Sequence, residues 1–375
     1  MTIAFARHIA APGEADAVRE VLESGRTEGD GPATARATAR LEAMHRDSRI
    51  LLTTSCTHAL ELAALVLGVR AGDEVVMPSF TFVSTANAFA LRGARIRFAD
   101  IDPETFTMEG AQVEAALTPA TKFVCTMPYG GVTRDPNAIE ALCASRGIRT
   151  VVDAAHALYA TYDGRALATW GSLGALSFHK TKNISCGEGG AIVVNDVSLF
   201  PQLEVAREKG TDRSRFIRGE VDRYTWRALG SSYLPSDILA AVLDRQLAHA
   251  ATSQARRLDV WNAYATRLGA VCDELGIAFQ HVPSAIAHPA HVFPVILPER
   301  IERAPILRAM VERGIYAVSH YEPLHLAPAH SGHESLPNTE SIARRLVRLP
   351  LHAALRDDEV DEVIEAFVAI VRKAR

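Results

Sequence analysis

Lysine is scarce in this chain. Of 40 basic residues only five are lysines (Lys122, Lys180, Lys182, Lys209 and Lys373), and the rest are arginines. Arginine serves wherever a fixed positive charge suffices, but it cannot replace lysine where chemistry needs an amine that gives up its proton. Each lysine therefore raises the question of its use, against the plain alternative that a few survived a composition bias. Lys373, in a basic tail, fits that alternative. Paired cysteines are also missing. Cys56, Cys125, Cys143, Cys186 and Cys272 are scattered, with no CxxC or CxxH spacing, which points to reduced thiols in a cytoplasm and to no metal site. Excess positive charge is absent: the net charge is −4 and the pI about 6.4, against a nucleic-acid partner. No apolar run approaches the roughly 18 residues of a membrane span, and the opening MTIAFARHIAAPGEAD is too polar for a secretory signal.

What is present is the balance of an ordinary globular protein, 48% hydrophobic and 22% charged over 375 residues, enough for two domains. The first half alternates. Residues 57–69, 80–91 and 137–145 read as helices by their apolar spacing, and 74–77, 95–98, 122–127, 149–152, 175–178 and 191–194 as strands. That alternation predicts a mostly parallel sheet covered on both faces, with ligands outside the carboxyl ends of its strands. Beyond residue 230 the pattern changes to one long helix over 236–268, strands at 291–297 and 315–319, and helices at 303–313 and 358–373. The division expected is a large domain over 1–240 and a smaller α+β domain over 241–375, with roughly the first 25 residues able to pack on the small one. The Pro- and His-rich stretch 322–338 reads as a mobile loop.

Three features fall at strand ends. Asp153 closes the strand 149–152, where a buried acid is costly unless paired with a cation. Ser177 and His179 close the strand 175–178, followed by Lys180, Lys182 and the glycine turn 187–190. Thr53-Thr54-Ser55-Cys56-Thr57 opens a helix with hydroxyls and free N–H groups suited to a phosphate. An acid, a lysine and an anion cradle are what pyridoxal phosphate needs: an amine to form the imine, a carboxylate to keep the ring nitrogen protonated, and a phosphate site. Singly, each piece has a blander reading as an N-cap, an ion pair or a solvated turn.

The segment Ser177-Phe178-His179-Lys180-Thr181-Lys182-Asn183, then Gly187-Glu188-Gly189-Gly190, resembles the SFHxTKN…GEGG block of the DegT/DnrJ/EryC1/StrS sugar-nucleotide aminotransferases. Asp153-Ala154-Ala155-His156 resembles that family's DAAQ block. Long stretches at 51–65, 72–94, 162–167, 207–237 and 320–325 are similar to members that aminate C4 of dTDP-4-keto-6-deoxyglucose, giving dTDP-4-amino-4,6-dideoxygalactose. The likeness implies a PLP-dependent transferase of fold type I, aspartate aminotransferase-like, working as a homodimer with shared active sites. It implies L-glutamate as amino donor, leaving as 2-oxoglutarate.

Residue by residue, the resemblance makes Lys182, not Lys180, the Schiff-base lysine and Asp153 the partner of the ring nitrogen. It gives the phosphate to Ser55, Cys56, Thr57 and Ser177, with Ser232 reaching it from the neighbouring subunit. Phe82 would stack on the cofactor, with a core aromatic as the other reading. His156, in place of the usual Gln, would hydrogen-bond the phenolic oxygen and could titrate near neutral pH. His320, Tyr321 and His325 would face the sugar nucleotide, or else form a strand-end turn. Thr27, in the glycine-rich loop 25–31, lies where substrate would come in. Tyr224, Trp226 and Arg227 match the loop that contacts the nucleotide diphosphate. Competing readings are amination at C3, another nucleotide sugar, a PLP-dependent dehydratase, and a PLP-binding regulator without turnover. Lys182 argues against the dehydratases, which carry His there.

Overall fold

The computed structural model describes residues 2–375. Seven strands form the main sheet in the order β1-β9-β8-β5-β4-β2-β3. They are β1 (Arg49–Thr53), β2 (Glu74–Pro78), β3 (Arg95–Ala99), β4 (Thr121–Thr126), β5 (Arg149–Asp153), β8 (Leu173–Ser177) and β9 (Gly190–Val194). Between β5 and β8 runs a hairpin, β6 (Thr161–Tyr162) and β7 (Arg165–Ala166), which pairs with β11 (Ile286–Ala287) in a separate sheet. All neighbours in the main sheet are parallel except β9, which is antiparallel to both β1 and β8. β2, β8 and β9 are buried along their whole length, as expected of a sheet covered on both faces. β2, β3, β4, β5, β8 and β9 fall within two residues of where the sequence puts them, and β1 is an addition.

The first helices are α1 (Glu14–Ser24), α2 (Pro32–Met44), α3 (Cys56–Val66) and α4 (Val83–Ala90). α3 starts on a working cap, the Ser55 hydroxyl accepting the His58 N–H at 3.1 Å. α4 is shorter than the span 80–91 suggests. Phe82 stays extended at φ −78°, ψ 150°, and Ser79 donates its N–H to Ala99, so helix begins only at Val83. The single helix expected over 236–268 is two, Asp237–Ala248 and Ala250–Gly269, broken at His249 (φ −111°, ψ 10°). The cause is tertiary. The first half packs on α1 and α2, and the second on the terminal helix Asp357–Ala374. α1 and α2 are additions to the elements expected from the sequence.

A three-stranded antiparallel sheet, β10 (Ala278–Phe279), β12 (Phe293–Ile296) and β13 (Leu346–Leu349), carries the C-terminal part. Its core gathers Tyr264, Phe293, Val347, Leu349, Phe367 and Val371. Residues 315–319 make no strand; they contribute isolated bridges, Ile3 to Ile315 and Val318 to Arg348. The stretch 322–338 is pinned rather than loose. His330 bonds Glu334 at 2.7 Å, its ring lies 4.7 Å from Phe98, and Asp100 holds the backbone of Asn338 and Thr339 at the start of the helix Pro337–Arg345. No helix among the described residues is long and apolar enough to cross a membrane.

One close approach sets the position of the site. Gly190 opens β9 opposite both Thr53 and Ser177, and a Cβ there would lie 2.3 Å from the Ser55 carbonyl carbon. Only glycine lets the first turn of α3 lie against the sheet. Gly190→Ala is expected to push that turn away and lower stability by about 1–3 kcal/mol, read as a lower urea midpoint at unchanged m-value.

Candidate active site

The carboxyl ends of β1, β5 and β8 lie side by side around β9, and each delivers one chemical group. β1 leads into Ser55, Cys56 and Thr57 at the start of α3; β5 ends on Asp153; β8 ends on Ser177, with Lys182 five residues on. Ser55, Cys56, Thr57, Phe82, Asp153, His156, Ser177, Lys182, His320 and Tyr321 all line one cavity of about 340 Å³. That is ten of the residues singled out from sequence, drawn from both the main sheet and the C-terminal part.

Asp153 is 4% exposed. Its Oδ2 accepts the Thr85 hydroxyl at 2.6 Å and its Oδ1 the Ala155 N–H at 3.1 Å. Burial nonetheless pushes its carboxyl above the usual range, against those bonds and the charge of Lys182. No cation pairs with it directly among the described residues, so the carboxylate fits a ligand that presents a protonated nitrogen. Lys182 is pushed down to about 8, first by burial and also by the Arg348 charge, while Cys56 and Asp153 act to raise it. An amine near 8 can be present as base or acid close to neutral pH. The Thr57 hydroxyl bonds Ser84 at 2.7 Å. The first N–H groups of α3 face the cavity end of the helix, where an anion is favoured by the unpaired N–H groups and the helix dipole. Amine, isolated acid and anion cradle in one cavity are the donor set pyridoxal phosphate requires.

His156 departs from the sequence expectation of a group that titrates near neutrality. It is buried, and burial together with the Lys182 charge holds it well below its ordinary value. Its Nδ1 accepts the Gly130 N–H at 3.3 Å, which leaves the proton on Nε2, 3.1 Å from the Tyr321 hydroxyl. The imidazole is thus a neutral, fixed donor. His320 is likewise pushed down by burial; its Nδ1 lies 3.1 Å from the Tyr129 hydroxyl and its ring stacks on Tyr321 at 3.7 Å. Phe82 is 56% exposed at the cavity rim, 6.4 Å from the Tyr321 ring, and so is not a core aromatic.

The other predicted residues lie elsewhere. His325 is a buried structural histidine, bonded to Ser79 at 2.7 Å and Glu340 at 3.3 Å, and does not line the cavity. Ser232 and Tyr224 line a separate surface depression with Lys209 and Arg213. Trp226 is 73% exposed. Arg227 pairs with Asp212 at 2.7 Å. Thr27 accepts the Asp237 N–H with its carbonyl. Lys180 is exposed. Sequence reading missed Thr85, His291, Phe5 and Arg348. Thr81, just before α4, and Thr85, in its first turn, have their hydroxyls 2.8 Å apart and were a legible polar pair four residues apart. Arg348 was the lone charge inside the apolar run 346–351.

The profile of the DegT/DnrJ/EryC1/StrS aminotransferase family matches residues 9–368. The spore coat polysaccharide biosynthesis protein SpsC of Bacillus subtilis (strain 168) is 32% identical over 381 residues, spanning 96% of this chain and 95% of that one. The aminotransferase TlmJ of Streptoalloteichus hindustanus superposes with a TM-score of 0.91 at 32% identity, covering all of both chains. The putative sugar aminotransferase Spr1654 of Streptococcus pneumoniae, in its PMP form, gives a TM-score of 0.91 at 25% identity over 100% of this chain and 98% of that one. The fold is type I of the PLP-dependent transferases, and the chain belongs to the DegT/DnrJ/EryC1/StrS aminotransferase family, as a pyridoxal phosphate-dependent sugar aminotransferase.

Proposed function

We propose that this enzyme aminates C4 of dTDP-4-keto-6-deoxyglucose with L-glutamate, giving dTDP-4-amino-4,6-dideoxygalactose and 2-oxoglutarate. The observation that carries the chemistry is the convergence of Lys182, Asp153 and the α3 start on one cavity. The choice of substrate rests on the long sequence likeness at 72–94 and 207–237.

Pyridoxal phosphate, when bound, supplies an electron sink for the carbon that exchanges a proton. Asp153 holds the proton on the ring nitrogen, Ser55, Cys56, Thr57 and Ser177 hold the phosphate, and Phe82 covers the ring at the cavity rim. Lys182 carries the cofactor at rest. Once freed, its amine would move the proton between the substrate carbon that bears the nitrogen and the cofactor carbon bonded to that same nitrogen. His156 donates through Nε2 and keeps a fixed dipole beside the ring. His320 and Tyr321 face the sugar. Ser232, Tyr224, Trp226 and Arg227 serve the second subunit's site, which makes the homodimer the working unit and accounts for a set of aromatic residues left open to solvent. A large domain over 1–240 carries the cofactor, and a small one over 241–375 brings His320 and Tyr321 to it.

Incubation with L-glutamate and a panel of nucleotide keto-sugars, with products identified by mass spectrometry and NMR, is expected to yield the axial C4 amine from the dTDP-4-keto sugar. A C3 amine from a 3-keto isomer, without turnover of the 4-keto compound, rejects the assignment. The dimer is tested by mixing two inactive variants, Lys182→Ala and Arg227→Ala. A mixed dimer holding one intact site should recover measurable activity, whereas independent sites would give none.

The amine itself can be titrated. Lys182 in the apo-protein should react with a carbonyl reagent with a midpoint near pH 8, followed by peptide mapping. Asp153 raises that value, so Asp153→Asn should move the midpoint down. The sign for stability follows: the folded amine loses its proton below the ordinary lysine value, so the unfolded chain binds more protons between about pH 8 and 10.5. Folding is therefore favoured increasingly as pH rises through that window.

A further inference from the structure

A second, smaller cavity shares Lys182 with the active site. It encloses about 30 Å³, and its wall carries five basic residues, Arg7, His8, Lys180, Lys182 and Arg257, and no acid. Arg257 is 5% exposed. It stands on the helix Ala250–Gly269, with Nε and Nη2 donating to the carbonyls of Ala290 and His291 at 3.1 and 2.8 Å. Among the described residues no hydrogen bond reaches its Nη1, and no carboxylate pairs with the guanidinium. Burial pushes the group down to about 9, and no negative group acts to raise it. Arg207, buried to a similar degree, has Asp30 at 2.6 Å. Arg7 and Lys180 are exposed and likewise have no ion-pair partner among the described residues. Glu14 lies near this wall but is engaged by His8, Gln246 and the Ala11 N–H. Two hydroxyls in the wall have protons to offer. Ser253 makes no hydrogen bond among the described residues, and Ser185, 4% exposed, only accepts one from the Gly187 N–H at 3.0 Å.

We propose that this small cavity binds a chloride-sized monovalent anion, held by Arg257 and the Ser185 and Ser253 hydroxyls, with Arg7 and Lys180 on its exposed side. The site is separate from the aminotransferase chemistry and does not depend on the substrate assignment. Cations that share one cavity repel each other, and a buried guanidinium without a counter-charge is costly. One negative charge removes both penalties. Size limits the choice. A volume of about 30 Å³ takes one or two water-sized groups, so sulfate, an amino acid or a nucleotide is too large. Water fits by volume, yet it brings no charge and leaves the guanidinium uncompensated. Ser253 and Arg257 stand four residues apart on one helix, so hydroxyl and guanidinium share a face. The position has a consequence for the chemistry, because Lys182 belongs to both cavities. A negative charge beside it favours the protonated amine, against burial and the Arg348 charge, which lower its proton affinity. Halide in the medium is thereby coupled to the proton affinity of the reacting amine.

The test uses the holoenzyme, in which the phosphate cradle is already filled. Halide-free protein is titrated with sodium chloride at constant ionic strength, with gluconate as the balancing anion that is too large to enter. Binding is read from the broadening of the chloride NMR line. Its effects are read from Tm and from the pH midpoint of the bound cofactor's absorbance. Chloride and bromide should saturate the site, raise Tm by about 2–4 °C and move the midpoint up by about half a unit. Gluconate and sulfate should do neither. Lys180→Gln, at an exposed position, should weaken chloride binding about threefold. Arg257→Gln should abolish it, but that variant also loses the contacts to Ala290 and His291, so Ser253→Asp carries the contrast. It builds the charge into the wall: without halide it should match the chloride-saturated parent in Tm and midpoint, and added chloride should change neither. Equal responses of the parent to chloride, gluconate and sulfate would overturn the proposal, and so would chloride line broadening that persists undiminished in Ser253→Asp. An enzyme that shows these halide effects but aminates no nucleotide sugar would overturn the substrate assignment and leave the anion site supported.

Discussion

A carboxylate buried at the end of a central strand is the constraint around which this molecule is arranged. Asp153 is almost wholly buried, and hydrogen bonds from Thr85, Ala155 and Cys56 do not bring its proton affinity back to the ordinary range. Among the described residues no cation pairs with it directly. Thr85 can donate to Asp153 because α4 starts at Val83 and not at residue 80, which puts its first turn over the end of β5. Cys56 can approach because Gly190 lets α3 settle on the sheet. On the proposed pairing, the cofactor's ring nitrogen would complete an electrostatic arrangement the fold already contains.

The same low-polarity setting explains the rest of the site. Without its proton the Lys182 amine is the better base, and burial is what frees it near neutral pH; the neighbouring acid limits how far the shift goes. Three buried imidazoles stay neutral for the reason that Lys182 loses its charge easily: the cavity penalises every positive group that lacks a partner. His156 shows how a residue that titrates readily in water becomes a fixed hydrogen-bond donor once its Nδ1 is committed to the Gly130 backbone. Replacing the family's Gln with His therefore preserves a donor rather than adding a switch.

Much of the sheet and its inner site was legible in the sequence, because both depend on local signals. Short apolar runs bounded by Gly, Pro and Asp located the strands, and Asp153, Ser177 and Lys182 each stand within a few residues of a strand end. What was not legible depends on pairing at long range. No local feature marks His249 as a helix break; its two flanks separate because they face different layers. His325 and His320 lie five residues apart in one motif, yet Ser79 and Glu340 draw the first into the core while Tyr129 holds the second at the cavity. Tyr224, Trp226 and Ser232 lie away from Lys182 within a single chain, and sequence alone gives no sign of that separation.

The scarcity of lysine acquires a physical meaning here. Arg207, Arg257 and Arg348 are cations set among buried groups, and each donates to at least one backbone carbonyl. The planar fork of arginine suits that task, and its charge survives burial. Lys122, Lys180, Lys209 and Lys373 are exposed, where either residue would serve. Lys182 alone sits in the cavity wall beside a buried acid. An arginine there would keep its proton at any pH the protein meets, and could neither carry the cofactor nor move a proton between carbons. A chain that otherwise writes positive charge as arginine has kept lysine at the one cavity position where the proposed chemistry needs the charge to be given up.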